Sequence, residues 1–135
     1  MDGDDMKTNP IVILFLLVAL CGAAPTVALA HHGAAAYDTN ELTTLTATVM
    51  TLDWRNPHAL IHFEVTDAHG AVIAWTAETA GLVILIRAGW ARDIVKPGDR
   101  VVIVGHRAAN GSSTMLLKRL VLPDGRELTS IIPAR

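Results

Sequence analysis

Beyond its apolar leader this chain has no cysteine. Its single Cys21 lies inside the leader, so the domain that follows has neither a disulfide framework nor a thiol nucleophile, and packing alone must hold it together. Hydrolase signatures are missing too. There is no Gly-x-Ser-x-Gly elbow, and Ser112, Ser113 and Ser130 fall in turns or near the tail. No glycine-rich phosphate loop occurs. The acids suggest no catalytic pair, because Asp53 stands at a corner and Glu64 well along the next strand. Net charge is also lacking: from His31 onward Lys plus Arg and Asp plus Glu each number ten. A neutral domain is a weak candidate for nucleic-acid binding, which needs a basic face to meet phosphates.

The leader itself reads as an export signal. Lys7, an apolar run from Ile11 to Leu20, and Ala28-Leu29-Ala30 follow the order of a secretory signal peptide. The run is shorter than the roughly 20 residues of a membrane span, so no stable span is expected after cleavage. Asp2, Asp4 and Asp5 make a poor start for a signal, whereas Met6-Lys7-Thr8-Asn9 makes a good one. Leu20 before Cys21 disfavours lipidation. The expected organisation is a signal peptide over residues 1–30, a flexible amino-terminal arm over 31–41, a barrel domain over 42–130 and a tail over 131–135. The expected address is periplasmic or secreted.

Period-two alternation marks strands along the domain. Leu45, Ala47 and Val49 alternate with Thr44, Thr46 and Thr48, and the alternation slips at Met50-Thr51-Leu52, as at a β-bulge. Pro57 ends one strand and lets the next begin. Ala59, Ile61, Phe63 and Val65 define a second strand, Asp67-Ala68-His69-Gly70 a hairpin turn, and residues 71–79 a third strand with Trp75 on its buried face. Thr79 is expected to cap a short helix through Leu82, Leu85 and Ile86, with Gly89 at C′ and Trp90 at C″. The helix is so apolar that a plug against an open barrel end is the expected role. Lys96-Pro97-Gly98-Asp99 is a type II turn. Residues 100–107 and 114–122 are further strands joined through Asn110-Gly111, and Glu127-Leu128-Thr129 is a short sixth. Three strands, a helix and two or three more strands give a mostly β fold: a small OB-like barrel of five to six strands with one short helix between strands three and four. An open sheet with one packed helix is the competing architecture.

His31-His32-Gly33, Trp54-Arg55-Asn56-Pro57-His58, Arg87-Ala88-Gly89-Trp90 and Lys96-Pro97-Gly98-Asp99 occur in that order. Together they resemble a family of small exported Gram-negative proteins classed as a domain of unknown function. The resemblance covers nearly the whole domain and implies a periplasmic OB-type barrel, with no activity attached. Family members often carry Ser where Gly33 stands.

Three constellations could carry function. If cleavage falls after Ala30, His31 offers an α-amine and an imidazole, and His32 a second imidazole; nitrogen donors of this kind suit Cu(II) among divalent metals. A cut after Ala28 places His31 third, which also chelates copper. The Trp54–His58 corner supplies Trp54, Arg55, Asn56 and His58 as candidate ligand-binding residues. His58 and His62 share a strand face but stand about 13 Å apart at ~3.3 Å per residue, too far for one metal, so a metal at His58 needs His31, His32 or His106. The bland reading of the corner is architectural: Asn56 bonds local backbone, Pro57 fixes the bend, Trp54 caps the core and His58 satisfies an end-of-strand group. Trp and Arg commonly anchor binding surfaces, which adds Trp90 and Arg92, although Trp90 suits a core plug better. His69 and His106 are expected to face solvent.

These residues favour a binding or accessory module over a free-standing enzyme, its partner a periplasmic protein or small ligand. The alternative is a copper-binding protein using His31 and His32, joined by His58 if the arm reaches it. A mononuclear copper oxidase ranks third, because no carboxylate is evident behind a histidine and Tyr37 in the arm is the lone redox candidate.

Overall fold

The computed structural model describes residues 34–130. Every element below belongs to one compact unit, residues 31–135. Strand β1 spans Thr43–Asp53, β2 Leu60–Thr66, β3 Val72–Glu78, β4 Arg100–Arg107, β5 Thr114–Val121 and β6 Glu127–Thr129; helix α1 spans Leu82–Arg87. No helix among the described residues is long and apolar enough to cross a membrane.

The strands run β3-β2-β1-β4-β5-β6, and a parallel pairing of β3 with β5 closes the first five into a barrel. β6 is an added strand on β5. This is the expected OB-like barrel with one helix between β3 and β4, and it displaces the open-sheet alternative. Closure needs a strand long enough to serve both sides, and β1 does so: Thr43–Thr48 pair with β4 while Thr48–Asp53 pair with β2. The slip in the threonine alternation is a true bulge. Val49 pairs with Phe63 and Thr51 with His62, leaving Met50 over. A bulge adds twist and bends the strand, which lets β1 turn the corner.

Alternation then decides what lies inside. Val49, Ile61, Phe63, Trp75, Ala77, Ile103, Met115, Leu117 and Leu120 fill one core. Trp75 faces it as expected, stacked on Phe63 with centroids 6.3 Å apart. Each large side chain buried this way stabilises by about 1.5–3 kcal/mol. Arg107 closes the barrel end over Trp75, its guanidinium carbon 4.8 Å from the ring centroid. Gly105 sits where β4 meets β5, and a Cβ there would run into the Leu116 carbonyl.

Helix α1 departs from expectation at its start. The N-cap is Gly81, without a side-chain cap. Thr79 instead ends the β3 ladder: its amide and its hydroxyl both donate to the Ala59 carbonyl, at 3.0 and 2.8 Å. A threonine claimed by the barrel cannot also cap a helix two residues later. The end matches expectation. Gly89 takes φ 87°, and the Trp90 and Gly89 amides donate to Leu85 and Ile86 carbonyls, which is the Schellman pattern. Trp90 is buried and its indole N–H donates to the Thr129 carbonyl at 2.9 Å. As a plug the helix is partial: Leu85 is buried, but Val83 and Ile86 are 61% and 58% exposed. Six residues make fewer than two turns, so only one stripe can reach the core.

Candidate functional site

The Trp54–His58 corner joins β1 to β2. Trp54 is half-buried and packs against the core. Arg55 pairs with Asp53 at 2.9 Å, with side chains 62% and 36% exposed, a pair of little energetic weight in water. Asn56 bonds backbone, but not its own: its Oδ1 accepts from the Leu82 amide at 3.3 Å, giving α1 the cap that Gly81 cannot supply. The Asn56–Pro57 peptide is cis. The Pro57 carbonyl lies so close to Gly81 that a Cβ there would stand 2.9 Å from it. Trp54, Asn56 and Pro57 therefore build the barrel rim.

His58 is the member of the corner with spare chemistry. Its Nδ1 lies 2.9 Å from the Thr79 carbonyl. A carbonyl can only accept, so Nδ1 is the donor, and in the neutral ring Nε2 then keeps its lone pair. Among the described residues Nε2 has no partner. Behind the same nitrogen, Glu78 Oε1 stands 3.6 Å from Nδ1. The other carboxylate oxygen, Oε2, accepts a 2.7 Å hydrogen bond from the Tyr37 hydroxyl. The result is a chain from Tyr37 to Glu78 to His58, ending in an imidazole nitrogen at a partly exposed rim. Burial raises the Tyr37 pKa well above its ordinary value, and the hydrogen bond and negative charge of Glu78 raise it further.

Tyr37 gets there because the arm is tied down from Ala34 onward. Ala34–Ala36 form a single 3₁₀ turn, Tyr37 bridges to Ala108, and Asp38 N donates to the Arg107 carbonyl at 2.9 Å. Glu78, Leu116 and His106 stand at one level across β3, β5 and β4, so the tyrosine reaches over that row from the flank of β4. His106 is not solvent-facing as expected. It is 9% exposed, and its Nδ1 donates to the Glu41 carbonyl at 2.7 Å, which anchors the start of β1. His69 is exposed in its turn. His62 shares a 3.1 Å hydrogen bond with Thr76 and serves a separate spot from His58.

Glu78 is the site residue that the sequence reading missed. The signal was present: the Asp67–Gly70 turn pairs Thr66 with Val72, and counting back places Leu60 opposite Glu78, next to His58. Tyr37 carried no such signal, since its contact is set by tertiary docking. Among the described residues no three His, Cys, Asp or Glu side chains gather as a metal cage. His31 and His32 lie outside the described residues, as does the expected signal peptide. A hollow of about 230 Å³ lined by Asp38, Glu41, Thr43, Arg107 and Gly111 lies between arm and β4–β5 hairpin, and neither His58 nor Glu78 lines it.

The chain belongs to a family of unknown function, DUF6152, whose model matches residues 18–117. No curated protein and no solved structure matches it.

Proposed function

We propose that this DUF6152 chain is a periplasmic binding or accessory module of a Gram-negative bacterium, and that it receives its ligand or partner at the rim formed by His58 with Glu78 and Tyr37 behind it. The observation that carries the reading is the fixed tautomer of His58. A backbone carbonyl holds Nδ1–H and a carboxylate stands behind it, so Nε2 is presented as an oriented acceptor or ligand. Arg55, three positions before His58 in the chain, is exposed and paired with Asp53. The test is capture of a partner from a periplasmic extract on the immobilised chain, followed by reconstitution with the purified partner. The His58→Ala variant should lose the reconstituted binding at an unchanged melting temperature. Equal binding by His58→Ala removes the rim from the reading, and a large drop in melting temperature makes His58 a structural residue.

The arm favours a second reading, a copper-binding protein using His31 and His32 with His58. Tyr37 is anchored to Glu78 beside His58, and His32 precedes Tyr37 by five positions. At ~3.6 Å per residue five and six positions span at most about 18 and 22 Å, and the reading requires that both arm histidines reach His58 within that length. Glu78 supplies the carboxylate behind a histidine that the copper oxidase reading lacked. Cu(II) titration of the chain cleaved after Ala30, followed by paramagnetic resonance, tests this. Nitrogen hyperfine structure that simplifies in His58→Ala supports the three-histidine set. A spectrum unchanged in that variant confines any copper to the arm, and weak binding that survives His31→Ala with His32→Ala sinks the reading.

A further inference from the structure

Among the described residues β3 is paired along only part of one edge. The Thr79 amide and the Ala71 carbonyl both bond toward β2, so the odd-numbered residues of β3 turn their peptide groups to β2. The even-numbered ones turn theirs the other way. Thr76 N donates to the Ser113 carbonyl, and Thr76–Glu78 pair with β5. Val72 and Ala74 point their N–H and C=O groups the same way, and no described residue pairs with them. The side chains there are also open: Val72 is 60% and Ile73 38% exposed, and Ala71 and Ala74 are exposed.

Natural sheets guard such edges with lysine, proline, inward charges or a bulge. Residues 71–74 read Ala-Val-Ile-Ala and carry none of these. Four backbone groups without a partner among the described residues call for another strand, and apolar side chains call for an apolar one. We propose that this edge pairs with the same edge of a second copy, antiparallel, about a twofold axis through Ile73. In that register Val72 meets Ala74 of the other copy and exchanges both hydrogen bonds with it, while Ile73 packs against its own equivalent.

Two features favour a second copy over a foreign strand. The edge is self-complementary under the twofold operation that most dimers use: its largest exposed side chain falls on the axis, and a small residue faces Val72 on either side. Its charges also permit self-pairing. Trp75 comes level with the partner's Ala71, whose amide turns to the Asp67 carboxylate on the β2 side and leaves the edge itself uncharged. On the outer face Glu64, opposite Ala74, is followed by the partner's Val72 and Thr66, so no like charges are brought together. A ribbon this short buries less than the ~800 Å² per partner of a standard interface, so the dimer dissociates on dilution.

Sedimentation across a concentration series tests the association, and amide exchange tests its place. A reversible dimer is expected, with the Val72 and Ala74 amides exchanging more slowly as concentration rises. Ile73→Lys and Ala74→Pro should each abolish it; the proline removes an N–H that β2 does not use. Folding of both variants is checked by circular dichroism, and Ile73→Lys suffices if the proline variant misfolds. Register is read from single cysteines in a Cys21→Ser chain, with oxidised glutathione as electron acceptor. Ile73→Cys should form a linked dimer, because directly opposed Cβ atoms lie about 4.5–5.5 Å apart, and Val72→Cys should not, its equivalent lying on a diagonal of about 7–8 Å. A monomer at every concentration overturns the proposal, and so does a dimer that survives Ile73→Lys or leaves the two amides unprotected.

Discussion

Replacing Tyr37 by Phe removes one hydroxyl and keeps the ring, and the structure sets what that should cost. The hydroxyl donates to the Glu78 carboxylate at 2.7 Å. A hydrogen bond to a charged partner contributes about 1.5–3 kcal/mol; partial exposure of both groups lowers this to about 1–2 kcal/mol near neutral pH. The difference must also depend on pH, in a stated direction. In the unfolded chain tyrosine ionises near pH 10. In the folded chain burial and Glu78 hold the proton on to a higher pH. Above pH 10 the folded state therefore binds more protons than the unfolded state, and its stability falls as pH rises, by at most about 1.4 kcal/mol per pH unit and less at a half-exposed site. Tyr37→Phe has no such proton, so the two stability curves converge above pH 10. Denaturant unfolding at matched m-values from pH 7 to 11 measures this. The chain holds a single tyrosine, so near-ultraviolet absorbance of tyrosinate reports Tyr37 alone. Native Tyr37 ionising near pH 10 while the chain stays folded would refute the reasoning, as would equal stability of wild type and variant at neutral pH.

Three further substitutions have outcomes set by the geometry. Gly105→Ala places a methyl group against the Leu116 carbonyl, where backbone must move; a loss of about 2–4 kcal/mol is expected from overpacking at a strand pairing, seen as a fall in the denaturation midpoint. Thr79→Val strips the fully buried hydroxyl from the Ala59 carbonyl and should cost about 1–2 kcal/mol by the same measurement. Gly89→Ala forces a side chain into φ 87° at the helix C′ position and should cost about 1 kcal/mol, with exchange of the Trp90 amide accelerating first.

What was legible in the sequence was local and periodic. The threonine alternation with its slip located the bulge at Met50, because a period of two leaves no room for an uncounted residue. Gly70, Gly89 and Gly98 marked turns that need positive φ. Trp75 showed its face by its size. Residues with two possible employers were misread. Thr79 looked like a helix cap until the β3 ladder claimed it, and His106 looked exposed because nothing local says that the Glu41 carbonyl needs a donor. The site was half legible: His58 stood out at its corner and Glu78 followed from hairpin register, whereas the Tyr37 contact joins residues 41 positions apart through docking of the arm.

The pairing that closes the barrel has a topological consequence. Every neighbouring pair from β3 through β2, β1, β4 and β5 to β6 is antiparallel, and the parallel seam of β3 with β5 holds only Thr76–Glu78 against Thr114–Leu116. The fold is thus a single antiparallel ribbon rolled up and fastened along one short line. Unfastening that line leaves every other ladder intact and turns the cylinder into an open, twisted sheet. The hem that then comes free is β3 itself, which lengthens from Val72–Ala74 to Val72–Glu78 and carries with it the carboxylate that holds Tyr37.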